Sequence, residues 1–466
     1  MKKIQVVAIV AFVASPVMAA DLLVPGTYPT IQNAIDAAGP GDVIVVNPGS
    51  YPGGLYIAGK SLSIRSASAS QAVVISGQGG RGLEVVNVPS PGLVLRGLEF
   101  TGCAGGPLGG AILATSSWLD VESCAFRSNR IDGGGGTFGG AAIYASDSVV
   151  RLAETSFISN RVELASGGFP YAFGGAVFFD RCELTIASCI FNMNAVSAVV
   201  PSASWAEAHA DGGALAARWS RGVVRDSVFS MNRADSSVQG FGPIASSRGS
   251  AASLASVQGA RFLVENCDFI DNTASAQSSN SYYNGTGSAI GALAFGVDGE
   301  QSSIHEVRSC RFKRNRGEKS PSTNGVAVAD IGTIFGENFV ASACRLEASF
   351  ASDLQLTNPL FGAYVGSVRS INGSTSVSSS VAASVFCGLQ CPAMGPEIVS
   401  TGNVISGNCC IGDLYPNGFV NGADLGILLS EWGPATSTTT ADLNMDGAID
   451  GADLGILLGA WGPCPG

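Results

Sequence analysis

Gly139-Gly-Ala-Ala-Ile-Tyr-Ala-Ser-Asp-Ser-Val-Val150-Arg-Leu152-Ala-Glu-Thr155-Ser-Phe157-Ile-Ser-Asn160 is one turn of a repeat that fills the middle of this chain. Val150 and Leu152 alternate with polar neighbours, one extra residue intervenes, and Thr155 and Phe157 resume the alternation. A beat of two marks a strand, and the interruption marks a bend into a second short strand. The frame recurs at Phe126, Phe157, Phe191, Phe229, Phe269, Phe312 and Phe335, each followed three residues later by Asn129, Asn160, Asn194, Asn232, Asn272, Asn315 and Asn338. Apolar or small residues stand seven, five and two places before the Phe, as in Leu119, Val121, Cys124 and in Leu184, Ile186, Cys189. Phe100 fits through Leu93, Leu95 and Leu98, with Cys103 in the Asn position.

A second signature comes first in each unit. Gly109-Gly110-Ala111, Gly139-Gly140-Ala141, Gly174-Gly175-Ala176 and Gly212-Gly213-Ala214 lie 17 or 18 residues before their Phe. Gly249-Ser250-Ala251 and Gly287-Ser288-Ala289 read as softened versions with longer spacing. A period between roughly 20 and 50 residues signals stacked architecture. The units lack 3.6-residue stripes, so the 62 glycines punctuate strands rather than helices or disorder. One rung of strand and turn cannot bury its apolar face alone but does so against its neighbours. The expected fold is all-β, a right-handed parallel β-helix in which Phe stacks on Phe and Asn bonds to Asn at one turn. The paired signatures resemble the passenger repeats of chlamydial polymorphic outer membrane proteins over residues 93 to 338, although no membrane barrel follows.

Upstream, Tyr28 to Ala38 reads as a short amphipathic helix with Ile31, Ala34, Ile35 and Ala38 on one face, leading into Val43-Ile44-Val45-Val46. A helix over the first rung blocks end-to-end strand addition. This segment resembles the N-terminal cap of pectin-lyase-like β-helices. Residues 340 to 385 are Ser-rich and lose the beat.

The tail carries a different pattern. Asp442, Asn444, Asp446, Asp450 and Asp453 occupy positions one, three, five, nine and twelve of a loop, with Gly447 at the sharp turn and the Ala448 carbonyl at position seven. That is the oxygen set a hard cation such as Ca²⁺ takes. A weaker copy uses Asp413, Asn417, the Phe419 carbonyl, Asn421 and Asp424, with Tyr415 in place of the third ligand. Four carboxylates against two predict tighter Ca²⁺ binding by the second loop. Each loop is followed by Gly-Ala-Asp-Leu-Gly-Ile-Leu-Leu and then Trp432-Gly433 or Trp461-Gly462. This duplicated loop–helix, with Asp at position twelve, resembles the type I dockerin module, a small all-α calcium-binding unit. The resemblance implies attachment to a cohesin-like or cell-surface protein. Gly422-Ala423 and Gly451-Ala452 fill the loop positions ten and eleven that such modules use for recognition, and they offer few contacts.

Lys2-Lys3, the apolar run Ile4 to Ala14 and Val17-Met18-Ala19-Ala20 read as a signal peptide, so the expected location is secreted, extracellular or at the cell surface. The run is too short to span a bilayer, which needs about 20 apolar residues. Loss of Lys2 and Lys3 takes the net charge from −11 to −13, with Lys60, Lys313 and Lys319 the remaining lysines. Nucleic acid and anionic membranes are thereby poor partners, since both need clustered Lys and Arg. The expected domains are a leader at 1–20, the β-helix at 21–385, a connector at 386–408 and the calcium module at 409–466. Of the twelve cysteines, Cys124, Cys189, Cys267 and Cys310 share one rung position and read as buried thiols, with a bridge between Cys267 and Cys310 on adjacent rungs as the alternative. Cys387 with Cys391, and Cys409 or Cys410 with Cys464, are the bridge candidates.

Between each Asn and the next glycine signature lies an insertion of variable length. These all leave the rung at one corner and should form a lateral wall. They carry Phe138, Phe169, Phe173 and the candidate ligand-binding residues Tyr171, Trp205, His209, Asp211 and Tyr282, suited to stacking on sugar rings. Catalytic residues are not assigned. No Asp-Asp pair, no His-Gly element and no lysine cluster supports a lyase or hydrolase. Arg127, Arg130, Arg161, Arg311 and Arg314 beside the Asn turn read as solvated. The expectation is an exported calcium-binding protein that binds or displays on extracellular polysaccharide or a cell surface. The alternative is a polysaccharide lyase or glycoside hydrolase on a pectin-lyase-like fold.

Overall fold

The computed structural model describes residues 21–203, 206–240, 244–256, 260–278, 287–295, 305–319, 329–336, short strands between 339 and 406, and 412–415, 419–434, 441, 443 and 448–463. The repeat forms a parallel β-helix. In one turn, Ile143–Ser146 joins a front sheet, Val149–Ala153 a back sheet and Ser156–Ile158 a side sheet. One turn on, Val177–Asp180, Glu183–Ala187 and Ile190–Asn192 pair with them in parallel. The extra residue before each Phe is a corner. Ser123, Glu154, Ser188, Asp226, Asn266 and Ser309 all have φ between 50° and 55°, and one left-handed residue redirects the chain without a loop. Each non-glycine residue so placed costs about 1 kcal/mol, which the stack must offset.

The stack does so through two ladders. Phe100, Phe126, Phe157, Phe191, Phe229, Phe269 and Phe312 lie ring over ring, with centroids 4.6 to 5.0 Å apart, and all are fully buried. Offset ring pairs add about 0.5–1.5 kcal/mol each beyond their area. Beside them, Asn129 Nδ2 donates to Asn160 Oδ1 at 2.9 Å, and the chain continues through Asn194, Asn232 and Asn272 to Asn315. Each Asn Oδ1 also accepts the backbone N–H of the Asn before it, and each Nδ2 also donates to the carbonyl of a Phe one rung back. Cys103, in the Asn position of its rung, closes the near end by donating its backbone N–H to Asn129. The small column two residues before each Phe holds Cys124, Cys189, Cys267 and Cys310 as buried cysteines. Burial pushes Cys124 and Cys189 up to about 12, so they pack as apolar groups.

Three readings are corrected. Phe335 is not the next ring of the ladder: it lies in the front-sheet strand Ala329–Gly336, opposite Ala294, and Leu346 pairs with Phe312. The Phe-x-x-Asn spacing recurred there by coincidence, and Asn338 lies outside the described residues. Gly287-Ser288-Ala289 is not a glycine corner, since Ala289 pairs with Ser247 within the insertion wall. Ala251 donates to Ala292 instead, so Gly291-Ala292 takes the corner. Finally, the stretch 386–408, read as a connector, contains Val399–Thr401 and Val404–Ser406, which extend the back and side sheets.

At the first rung, α1 (Ile31–Ala37) is N-capped by Thr30, whose hydroxyl accepts from Asn33 N. Ile31, Ala34 and Ile35 are buried with the main core. Lys60 donates to the Ile35 and Ala38 carbonyls at the helix C-terminus, where a cation is favoured. In the tail, α2 (Gly422–Ser430) and α3 (Gly451–Gly459) share a small core of Val420, Leu428, Ile449 and Leu457. Each half supplies a two-residue strand to the other: Gly433–Pro434 pairs with Ala448–Ile449, and Phe419–Val420 with Gly462–Pro463.

Two outcomes follow from the core. Asn194→Ala removes both ladder bonds and strands buried donors on Asn160, so we expect about 3–5 kcal/mol lost in denaturant unfolding. The half-buried Asp235, which pairs with Arg233 on the outgoing wall strand, should cost far less as Asp235→Asn. His305, buried between Phe262 and Phe295, accepts from Phe262 N through Nδ1, and burial lowers it from 6.5 to about 4. The unfolded chain takes a proton that the folded state refuses. Stability should therefore be complete above about pH 6.5 and fall as pH drops toward 4, by about 3 kcal/mol. Unfolding of His305→Leu against pH should lack this component.

Candidate functional site

The insertions are ordered as a second, thinner stack. Outgoing strands Arg161–Ala165, Ala195–Ala203, Arg233–Gly240 and Thr273–Ser278 form one parallel sheet. Returning strands Pro170–Phe173, Glu207–Asp211 and Ile244–Arg248 form the facing layer. Between them lie Val162, Leu164, Val196 and Ala198 on one side and Ala172, Ala208, Ala210 and Ala245 on the other. Alanine at the inward positions lets the layers approach closely. Strand alternation then sends Tyr171, Glu207, His209 and Asp211 to the opposite, outer face.

Each returning strand enters the front sheet through a glycine kink. Gly140, Gly174, Gly212 and Gly249 have φ of 64°, 55°, 69° and 61°, and a Cβ on Gly174 would stand 1.9 Å from the Val177 carbonyl oxygen. Only glycine fits there. The kink swings the wall's outer face toward the outer face of the front sheet. Phe173, before the kink, stacks on Phe178, after it, at 4.9 Å, and Tyr144 from the preceding rung tilts against Phe178 at 5.3 Å. Arg218 lays its guanidinium over the Phe173 ring at 5.1 Å and over Trp219 at 4.4 Å. Phe173, Phe178 and Tyr144 are 7%, 2% and 8% exposed, so they pack as a buried aromatic cluster beneath this inner angle.

On the wall side, register places Tyr171 beside His209, and their rings stack at 4.9 Å. Tyr171 OH donates to Glu207 Oε2 at 3.4 Å, and His209 Nε2 lies 3.4 Å from the same oxygen. On the other side of the imidazole, Arg248 Nη2 is 3.3 Å from His209 Nδ1. A guanidinium can only donate, so Nδ1 accepts and Nε2 carries the hydrogen that faces Glu207. Arg248 Nε donates to Asp211 at 3.2 Å, and the side chains of this ion pair are only 12% and 7% exposed. Burial and the Glu207 charge push the Tyr171 phenol up, keeping it a donor near neutral pH. The arrangement runs from a buried ion pair, through a tautomer-fixed imidazole, to an accessible carboxylate. Such a carboxylate can exchange a proton with a bound substrate.

Of the predicted binding residues, Tyr171, His209 and Asp211 are brought together on two adjacent strands, and Trp205 and Tyr282 lie outside the described residues. Glu207 and Arg248 were missed. Both were marked: Glu207 shares the alternation phase of His209 and Asp211, and Arg248 precedes the kink Gly249 as Asp211 precedes Gly212. Arg127, Arg130, Arg161, Arg311 and Arg314 each contact a carboxylate: Glu99, Asp132 with Glu163, Glu163, Asp268 and Asp271 respectively.

In the tail, Asp424 and Asp453 are fully buried at position twelve. Asp424 accepts from Tyr415 N and Asn421 N, and Asp453 from Leu443 N and Asp450 N. Asn421 and Asp450 cap α2 and α3 by accepting from Ala423 N and Ala452 N. The position-twelve carboxylates thus tie each loop to a helix N-terminus, and among the described residues no group of three or more His, Cys, Asp or Glu is placed to hold a metal ion. Asp413, Phe419 and Ala448 are described, whereas Asn417, Asp442, Asn444 and Asp446 are outside the described residues.

No protein-family model and no curated protein matches this sequence. Among solved structures, the chain is similar to the catalytic domain of a GH87 α-1,3-glucanase in complex with nigerose, at 8% identity and TM-score 0.37, covering 84% of this chain and 70% of that one. It is also similar to pectate lyase Pel9A, at 12% identity and TM-score 0.32 over 90% and 88% of the two chains. A third is an alginate lyase from Paenibacillus sp. str. FPU-7, at 11% and 0.27 over 83% and 99%. At these scores the likeness carries no information about chemistry. The class of the protein, a parallel β-helix, rests on its own strand register.

Proposed function

We propose that this is an exported protein that acts on polysaccharide, with the inner angle between the front sheet and the insertion wall as its glycan face. The observation that carries the reading is the Glu207 carboxylate, held by Tyr171 OH and His209 Nε2–H on the outer face of the returning strands. A surface built only for display has no need of a buried Arg248–Asp211 pair that fixes one imidazole tautomer. Glu207 would exchange the proton during bond cleavage, His209 would orient it, and Tyr171 would stack and donate to the sugar. A non-catalytic binder is the second reading. It is favoured by the tight pairing of Asp211 with Arg248, which leaves Glu207 without a free carboxylate partner among these residues. We read α1 as the cap of the first rung, and the tail as a dockerin-like tether in which each loop holds Ca²⁺ and the second holds it more tightly. The rest of the solenoid is rigid support. Among the described residues no helix is long and apolar enough to cross a membrane.

Two measurements check this reading. The full chain should release new reducing ends or unsaturated products from at least one polysaccharide of a broad panel. Glu207→Gln should lower that rate by about 10²–10⁴-fold with glycan retention preserved, and a binder would show retention without product in both proteins. Calcium titration should give two sites, with Asp453→Ala abolishing the tighter and Asp424→Ala the weaker. A chain that takes up no Ca²⁺ at about 1 mM, the weak end for such loops, would refute the tail assignment.

A further inference from the structure

We propose that the solenoid does more than support the inner angle: a cleft at its corner between the back and side sheets is a second ligand site, for an uncharged, hydroxyl-rich ligand such as a neutral oligosaccharide. The cleft has a volume of about 640 Å³, and the groups that give it its chemistry are Arg65, Gln71, Arg96, Glu99, Ser123 and Glu154. It shares no residue with the inner angle. Register shapes it. On consecutive back-sheet strands Arg65 pairs with Arg96, Arg96 with Glu122 and Glu122 with Ala153. Three strand spacings therefore separate Arg65 from the corner residue Glu154, about 14 Å along the stack. Gly97 turns the corner between them with φ of 66°, and a Cβ there would stand 3.3 Å from Ser66 Cβ, so the absent side chain keeps the floor open. One wall is the segment 67–72, which its own serines hold. Ser66 Oγ donates to the Ser68 carbonyl and accepts from Ser68 N, and Ser68 Oγ accepts from Ser70 N and Gln71 N. A wall fixed in this way loses little freedom when a ligand enters.

The groups lining the cleft have bonding capacity that the fold does not use. Arg65 is half-exposed and reaches Asp21 only at 3.8 Å, beyond hydrogen-bond range. Glu154 accepts the Ser123 hydroxyl at 3.1 Å through one oxygen, and a carboxylate has about four acceptor positions. Arg96 meets Glu122 at 2.9 Å and Glu99 meets Arg127 at 3.5 Å, each on one side. Two guanidiniums and two carboxylates balance in charge. An anionic ligand would meet Glu99 and Glu154, and a cationic one would meet Arg65 and Arg96. A sugar hydroxyl can donate to the carboxylates and accept from the guanidiniums, so the mixed lining suits it. Glu154 is the decisive residue. On other turns the same left-handed corner is held by Ser123, Ser188, Asp226, Asn266 and Ser309, all with short polar side chains. A glutamate is no easier to place there, and its exposed carboxylate adds nothing to the core. An acceptor kept at a strained position that packing does not require points to a ligand contact.

The test is affinity electrophoresis of the full chain and of its Glu154→Ser and Arg65→Ser variants through gels containing β-1,3-glucan, mannan or dextran. Glu154→Ser places at this corner the residue that three other turns carry, so the fold is kept. At least one polymer should retard the full chain, and each substitution should weaken that retention about three- to tenfold, the effect of losing one ligand hydrogen bond. Retention unchanged in both variants overturns the inference, and so does a full chain that none of the three polymers retards. Neither result bears on the reading built on Glu207, which product release decides separately.

Discussion

The whole molecule depends on one register constraint: an asparagine amide must meet the next asparagine amide, rung after rung, in a place water cannot reach. Each Asn answers four demands at once, two with its amide nitrogen and two with its carbonyl oxygen. A rung that slipped by one residue would turn its Phe outward and leave these groups unmet. The penalty for slippage is therefore paid in buried polar groups as well as in lost ring stacking. Left-handed corners made of Ser, Glu, Asp or Asn are tolerated because the stack on both sides over-determines them. The insertions can vary in length because they leave and rejoin at points that this register holds fixed.

The glycine kinks convert that rigid support into a site. Four residues with φ near 60° let an added strand pair bend back over the front sheet. The alanine filling keeps the added pair thin, and alternation presents its polar side to the angle. The candidate site thus comes from a small change to a solenoid, in which strand count per rung changes while the core does not. The same register that stacks Phe on Phe places Tyr171 on His209 and sets Asp211 beside Arg248. A site assembled from three successive turns is positioned as precisely as the turns are stacked.

Much of this was legible from residue order alone. The beat of two, the misplaced residue before each Phe and the Asn three places later defined rung, corner and ladder, because burial leaves few residue types acceptable at those positions. Where the constraint relaxes, sequence reading fails. Phe335 and Gly287 satisfied local patterns but belong to other strands, since short signatures cannot tell which sheet a strand will join. The site was half legible. His209 and Asp211 stood out as rare types beside a glycine corner, whereas Glu207 and Arg248 resembled ordinary surface charges until pairing across rungs brought them together. Their roles depend on neighbours 36 to 39 residues away, a distance at which composition carries no signal.

Hydrogen–deuterium exchange across the full chain tests the register most directly. Peptides covering each Phe-to-Asn segment from 98 to 315 should exchange slowly and together, as one cooperative unit. The returning wall strands should open earlier. Independent exchange of single rungs, or rapid exchange at the buried asparagine turns, would contradict the stack on which everything else is built.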